Sequence, residues 1–161
     1  MKKYILNPKS MFVIGLALGV LSRLLDIHTQ NLGNIFSRMP IWIFFGVIIS
    51  IYSDTKKKAM LNIFPFCIGM LITYYYVSHV TNGVYSEVYI VGWTAFALAS
   101  PPLAYFTWMA KGTGILPKII STCLIAVSAL SSIVFFDRLR IDDYIIIVIL
   151  VYYLFVKKIK R

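Results

Sequence analysis

The chain has 161 residues, of which 60% are hydrophobic and 14% charged, and its mean hydropathy is +0.82. A soluble domain of this length is closer to half apolar and a quarter charged, so the composition excludes an ordinary soluble domain. The net charge of +10 would suit nucleic acid, but in so apolar a chain we assign it to membrane topology and to anionic lipid headgroups. We therefore expect a lipid bilayer, and no nucleic acid, as partner.

Apolar segments alternate with short polar joints along the whole chain. A hydrocarbon core about 30 Å thick needs about 20 apolar residues of helix to cross it. The predicted spans are 11–27, 39–53, 59–78, 88–109, 116–136 and 144–156. The sequence thus predicts an all-α, six-transmembrane-helix bundle in which residues 1–161 form a single integral membrane domain.

Basic residues collect in alternate joints, as in the turn at 56–58, while most acidic residues fall in the others. The positive-inside rule then places both termini in the cytoplasm. The bias towards Ile, Lys and Asn suggests a bacterial chain, and hence a multi-pass protein of the bacterial plasma membrane.

The first two spans carry both packing and polar signals. Gly15 and Gly19 form a small-xxx-small pair that lets another helix approach closely. Arg23 and Asp26 are three residues apart and can pair on one helix face, either as part of a ligand site or as a structural pair near a helix end. Trp42, near the start of the second span, is expected to anchor at the headgroup level.

The third and fourth spans hold the aromatic residues expected at the outer mouth. Tyr74, Tyr75 and Tyr76 end the third span, and because consecutive helical side chains point about 100° apart the three cannot all face one pocket. Trp93 lies near the outer end of the fourth span.

The fourth span contains Ser100, Pro101 and Pro102 near its middle. Two prolines should kink or break the helix, and the carbonyls they free need partners from Ser100, from neighbouring helices or from water. The break would either line a cavity or be packed solid.

The chemistry-bearing residues are few. Cys67 and Cys123 fall within spans and are expected to be buried free thiols. The charged outer joint 136–143 is self-neutralising and would either close a gate or solvate a turn. Nucleophile, phosphate-loop and metal-ligand motifs are absent, so we predict no catalytic residue, no metal and no cofactor.

Two short stretches, 31–37 and 137–139, resemble pieces of the lipoprotein signal peptidase, an aspartyl membrane protease. That resemblance implies two aspartates that share a proton and activate water. Here Asp137 would pair with Asp26 or Asp142. The chain lacks the family's alanines, its Gly-Asn before Asp-Arg and its second aspartate motif.

The layout as a whole is similar to the substrate-binding components of energy-coupling-factor vitamin transporters: similar length, six spans, and small residues on the first helix at Gly15 and Gly19. The resemblance implies an outward pocket walled by Trp93, Tyr75, Tyr76 and Arg23, and docking of the first helix onto a shared energising module.

Three functions follow from these observations. The leading one is a non-catalytic transporter substrate-binding component with an outward-facing pocket for a small molecule between spans one, three and four. The alternative is an interaction, assembly or immunity protein that packs against another membrane protein or a second copy of itself, and the third is an intramembrane aspartyl enzyme. The predicted ligand-binding residues are Arg23, Asp26, Tyr75, Tyr76, Trp93 and Ser100, and the predicted helix-packing residues are Gly15, Gly19, Pro101 and Pro102.

Overall fold

The computed structural model describes residues 6–29, 35–36, 38–81 and 87–159. Every regular element in these ranges is helical, which confirms the all-α fold. Most of the stretch 31–37 lies outside the described residues. The helices are α1 (Pro8–His28), α2 (Met39–Tyr52), α3 (Lys56–Val80), α4 (Glu87–Met109), α5 (Ile115–Phe136) and α6 (Ile141–Val151), the last continued by a π-helical turn at Tyr152–Val156.

Three of these helices, α1, α3 and α5, are long and apolar enough to cross a membrane, whereas α2 is a shorter apolar helix of 14 residues. Large apolar side chains remain exposed on the outside of the bundle. Examples are Val13 on α1, Ile72 on α3, Leu98 on α4 and Val134 on α5. Exposure on this scale is unusual for a soluble monomer and is typical of a lipid-facing surface.

Local sequence sets where the helices begin and end. Asn7 precedes α1 and its side chain accepts a hydrogen bond from the Ser10 N–H, while Pro8 occupies the first turn, where a missing N–H costs nothing. Thr55 caps α3 in the same way through the Lys58 N–H. At the other end of α5, Asp137 stops the helix in a left-handed conformation with φ of 59°.

The closest helix contact joins α1 to α3. A Cβ atom at Gly15 would collide with the Phe66 carbonyl oxygen, and one at Gly69 would lie 2.7 Å from the Phe12 carbonyl oxygen. The Thr73 hydroxyl also donates to the Leu16 carbonyl across the contact, at 2.8 Å. Glycine is required here because the two backbones approach within the space of a methyl group.

Helices that follow one another along the chain alternate in direction. Asn62 lies near Leu6, and Phe66 near Gly15, so α1 and α3 run parallel. Lys56, which begins α3, lies over the ring of Trp108 near the end of α4, so these two helices are antiparallel. We call the end formed by Lys56, Lys57, Lys58, Lys111 and Lys118 the lysine-rich end.

Two apolar clusters form the core, and α2 belongs to both. One cluster joins α2 to α1, α3 and α4 around Trp42 and Phe66, and the other joins it to α5 and α6 around Ile51 and Leu150. Trp42 is 5% exposed and its indole N–H donates to the Phe36 carbonyl at 2.7 Å. The expectation that Trp42 is a headgroup anchor was therefore wrong, because its ring packs inside the bundle.

Candidate functional site

An open cavity of about 500 Å³ lies between α2, α3, α4 and α5. We call it the α2–α5 cavity. Its volume is within the range of about 300–1,000 Å³ that small-molecule sites occupy. Its lining includes Trp42, Gly46 and Ser50 of α2, Ile63 and Cys67 of α3, Phe96, Ser100, Ala104 and Thr107 of α4, and Ile119, Cys123, Leu124 and Val127 of α5.

The few polar groups in this lining are hydrogen-bonded to their own helices. The hydroxyl of Ser50 donates to the Gly46 carbonyl at 2.6 Å, and that of Thr107 donates to the Leu103 carbonyl at 2.8 Å. Ser100 donates to the Ala97 carbonyl at 2.7 Å. Since each hydroxyl hydrogen is already engaged, these groups have no donor left for an occupant, and the rest of the wall is mainly apolar.

The bond from Ser100 also explains how α4 tolerates its prolines. Pro101 has no N–H to donate to the Ala97 carbonyl four residues earlier, and the Ser100 hydroxyl fills that place. The predicted use of Ser100 as partner of a freed carbonyl is thus confirmed. Of the two predicted outcomes, a kink or a break, the break does not occur, because α4 is one uninterrupted helix through Pro101 and Pro102, with Pro101 half-buried and Pro102 exposed.

The cavity opens sideways between α4 and α5. Leu103 and Phe106 on α4 line it and are 48% and 55% exposed, and Ile119 and Val127 on α5 are 53% and 55% exposed. The direct contact between these two helices is slight compared with that between α1 and α3. The opening is therefore flanked on both sides by large apolar side chains.

Both cysteines line this cavity from opposite walls, and neither forms a disulfide. Cys67 on α3 is buried, as predicted, but Cys123 on α5 is exposed, so the expectation for the second thiol was wrong. The described residues contain no group of three His, Cys, Asp or Glu side chains placed to hold a metal ion.

Of the six residues predicted to bind a ligand, Ser100 lines the α2–α5 cavity and the other five do not. Tyr76 is 68% exposed, whereas Tyr75 and Trp93 are half-buried against the core cluster around Trp42. The Trp93 ring lies edge-on to Trp42, with ring centroids 6.4 Å apart, and so stands behind the cavity wall rather than in it.

Arg23 and Asp26 form the ion pair that their spacing predicted, with the guanidinium Nη1 on the carboxylate Oδ2. The Arg23 side chain is 12% exposed and its Nε atom has no hydrogen-bond partner among the described residues. This pair is on α1, which packs on α3 and is not among the helices that line the cavity.

Gly15 and Gly19 are buried against α3 of the same chain. A Cβ at Gly19 would collide with the Met70 carbonyl oxygen and with the Thr73 hydroxyl. The small-residue face of α1 is thus already covered by α3 in the folded chain.

A buried ion pair that the sequence did not reveal lies at the end opposite the lysines. Arg38, just before α2, donates to the Asp143 carboxylate of α6 at 2.7 Å, with side chains 7% and 1% exposed. The same Oδ2 atom accepts the backbone N–H of Arg140, and the guanidinium carbon lies 4.3 Å from the centre of the Phe136 ring. In the charged joint, Asp137 and Arg138 are exposed, as in a solvated turn, while Asp143 and Phe136 link the starts of α2 and α6 to the end of α5.

The fold and site define an all-helical chain with membrane-length apolar helices and a laterally open apolar cavity. Comparison of this chain with protein-family models, with curated proteins and with solved structures gave no match.

Proposed function

We propose that this chain is a small integral membrane protein that binds a small apolar molecule in the α2–α5 cavity. The cavity itself is the observation that carries the proposal: about 500 Å³ of space in a helical bundle, walled almost wholly by hydrocarbon. An apolar wall offers water few hydrogen-bond partners, so the cavity favours an apolar occupant.

The membrane arrangement that accompanies this proposal has six spans and both termini on the cytoplasmic side of a bacterial plasma membrane. Its support is the alternation of helix direction, which gathers Lys56, Lys57, Lys58, Lys111 and Lys118 at one end. Lysine-rich ends of helical membrane proteins face the cytoplasm.

This proposal keeps the ligand-binding part of the transporter-component prediction and assigns it to the α2–α5 cavity. The outward pocket between spans one, three and four stays a prediction. Coupling to an energising module stays a prediction from layout alone.

Gly46 allows the cavity to be filled without disturbing the helix contacts. A Cβ added there would meet only the Ile63 side chain, at an ordinary 3.8 Å, and the residue lines the cavity. Gly46→Leu should therefore place its side chain in the cavity. Gly92→Leu is the matched control, because nothing lies within 4 Å of a Cβ at Gly92.

The test is native mass spectrometry of protein extracted gently from its own membrane. We expect a small molecule retained by the wild-type protein and by Gly92→Leu, and lost from Gly46→Leu. Equal retention by all three proteins, or no retained molecule in the wild type, would contradict the proposal.

A further inference from the structure

The open side of the α2–α5 cavity determines what can enter it. In a bilayer, the exposed flanks Leu103, Phe106, Ile119 and Val127 contact lipid hydrocarbon. An occupant therefore reaches the cavity from within the membrane, between α4 and α5, without crossing water.

The shape and chemistry of the wall suit a hydrocarbon chain. Along α4 the lining runs from Phe96 to Thr107, a stretch of twelve residues that spans about 16 Å of helix. The lining hydroxyls of Ser50, Ser100 and Thr107 are already hydrogen-bonded to backbone carbonyls. A polar ligand would lose hydration here and find no free hydroxyl donor, whereas a chain of methylene groups loses no hydrogen bond.

The charge at one end of the cavity indicates the headgroup. Thr107 lines the cavity two residues before the end of α4, and Ile119 lines it four residues after the start of α5. Lys111 and Lys118 flank these positions, and Lys118 is exposed. Lysines close to a membrane surface attract anionic lipids.

We propose that the α2–α5 cavity holds one acyl chain of an anionic phospholipid from the leaflet at the lysine-rich end. This inference rests on the proposed function, since it names the ligand of the same cavity. The chain enters between α4 and α5, and its headgroup stays at the level of Lys118.

Trp42 gives a reporter inside the cavity. It lines the wall ten residues before the end of α2 at Tyr52, about 15 Å along the helix from the lysine-rich end. Bromine atoms near the methyl end of an acyl chain quench tryptophan on contact. A chain in the cavity would therefore quench Trp42, although the ring is only 5% exposed.

The experiment uses the full chain with Trp93→Phe and Trp108→Phe, reconstituted in nanodiscs of phosphatidylcholine. A fixed fraction of the lipid is replaced by phosphatidylglycerol or phosphatidylcholine with one brominated chain. We expect at least twofold stronger quenching by brominated phosphatidylglycerol, reduced to the phosphatidylcholine level by Gly46→Leu and unchanged by Gly92→Leu. Trp108 donates to the Ser53 carbonyl, so if its replacement unfolds the chain, the same comparison is made between wild type and Gly46→Leu with all three tryptophans present.

Each outcome bears on the proposal. Equal quenching by the two brominated lipids, or quenching that Gly46→Leu leaves unchanged, overturns it. If mass spectrometry finds a molecule that Gly46→Leu releases and that is not a phospholipid, the proposed binding function stands and the lipid inference fails. If no molecule is retained and neither lipid quenches Trp42, both fail.

Discussion

Removal of the Asp143 carboxylate is the sharpest test of how the bundle is held together. Asp143→Ala leaves the Arg38 guanidinium, 7% exposed, without the carboxylate it contacts at 2.7 Å. Breaking a buried ion pair in this way costs about 3–5 kcal/mol, because the remaining charge is desolvated and unpaired. The backbone N–H of Arg140 also loses its acceptor, and the lost helix cap adds about 1 kcal/mol.

The chain provides its own control for this prediction. Asp54 and Lys58 also form an ion pair, at 2.6 Å, but their side chains are 60% and 49% exposed. An exposed pair of this kind contributes less than about 1 kcal/mol. Asp54→Ala should therefore change stability by several kcal/mol less than Asp143→Ala, although both variants remove one carboxylate from one ion pair.

The assay is equilibrium unfolding in mixed micelles of rising dodecyl sulfate fraction, followed by far-UV circular dichroism. The double variant Arg38→Met, Asp143→Leu removes both charges and should recover most of the loss, because replacing a buried pair by apolar groups is close to neutral. If Asp143→Ala is no more destabilising than Asp54→Ala, or if the double variant is as unstable as Asp143→Ala, the buried pair does not act as argued.

Two further predictions concern packing and topology. Gly19→Ala should destabilise the chain by about 1–3 kcal/mol, because its Cβ collides with the Met70 carbonyl oxygen. Gly92→Ala, whose Cβ meets open space, should be neutral or stabilising. The same unfolding assay compares the two variants, and equal effects would refute the close contact of α1 with α3. Lys57 and Arg138 are both exposed, at opposite ends of the bundle. In a background without Cys67 and Cys123, an impermeant maleimide should label Arg138→Cys in intact cells and Lys57→Cys only after permeabilisation, and the reverse pattern would invert the proposed topology.

Composition was sufficient to predict helices and no other regular element. A long apolar run within a membrane must hydrogen-bond its own backbone N–H and C=O groups, and a helix does this within a single segment. The pairing of Arg23 with Asp26 was also within reach, since both belong to one helix and their spacing fixes the geometry. These predictions depend on local chain geometry alone.

The contacts that hold separate helices together could not be predicted from the sequence. Arg38 and Asp143 are 105 residues apart, and no local pattern links them. The break predicted at Pro101 and Pro102 failed for a related reason. Proline weakens a helix locally. Here the Ser100 hydroxyl donates a hydrogen bond to the Ala97 carbonyl, and the helices packed around α4 keep the segment helical.

Small residues four apart show why the cavity itself could not be read from the sequence. Gly15 and Gly19 on α1 allow backbone contact with α3. On α2, Gly46 and Ser50 have the same spacing, yet they line open space, because α4 and α5 stand too far away to fill it. The spacing indicates only that one face of the helix carries small side chains. Whether that face becomes a tight contact or the wall of a binding site depends on the separation of the helices opposite, which is a property of the assembled bundle.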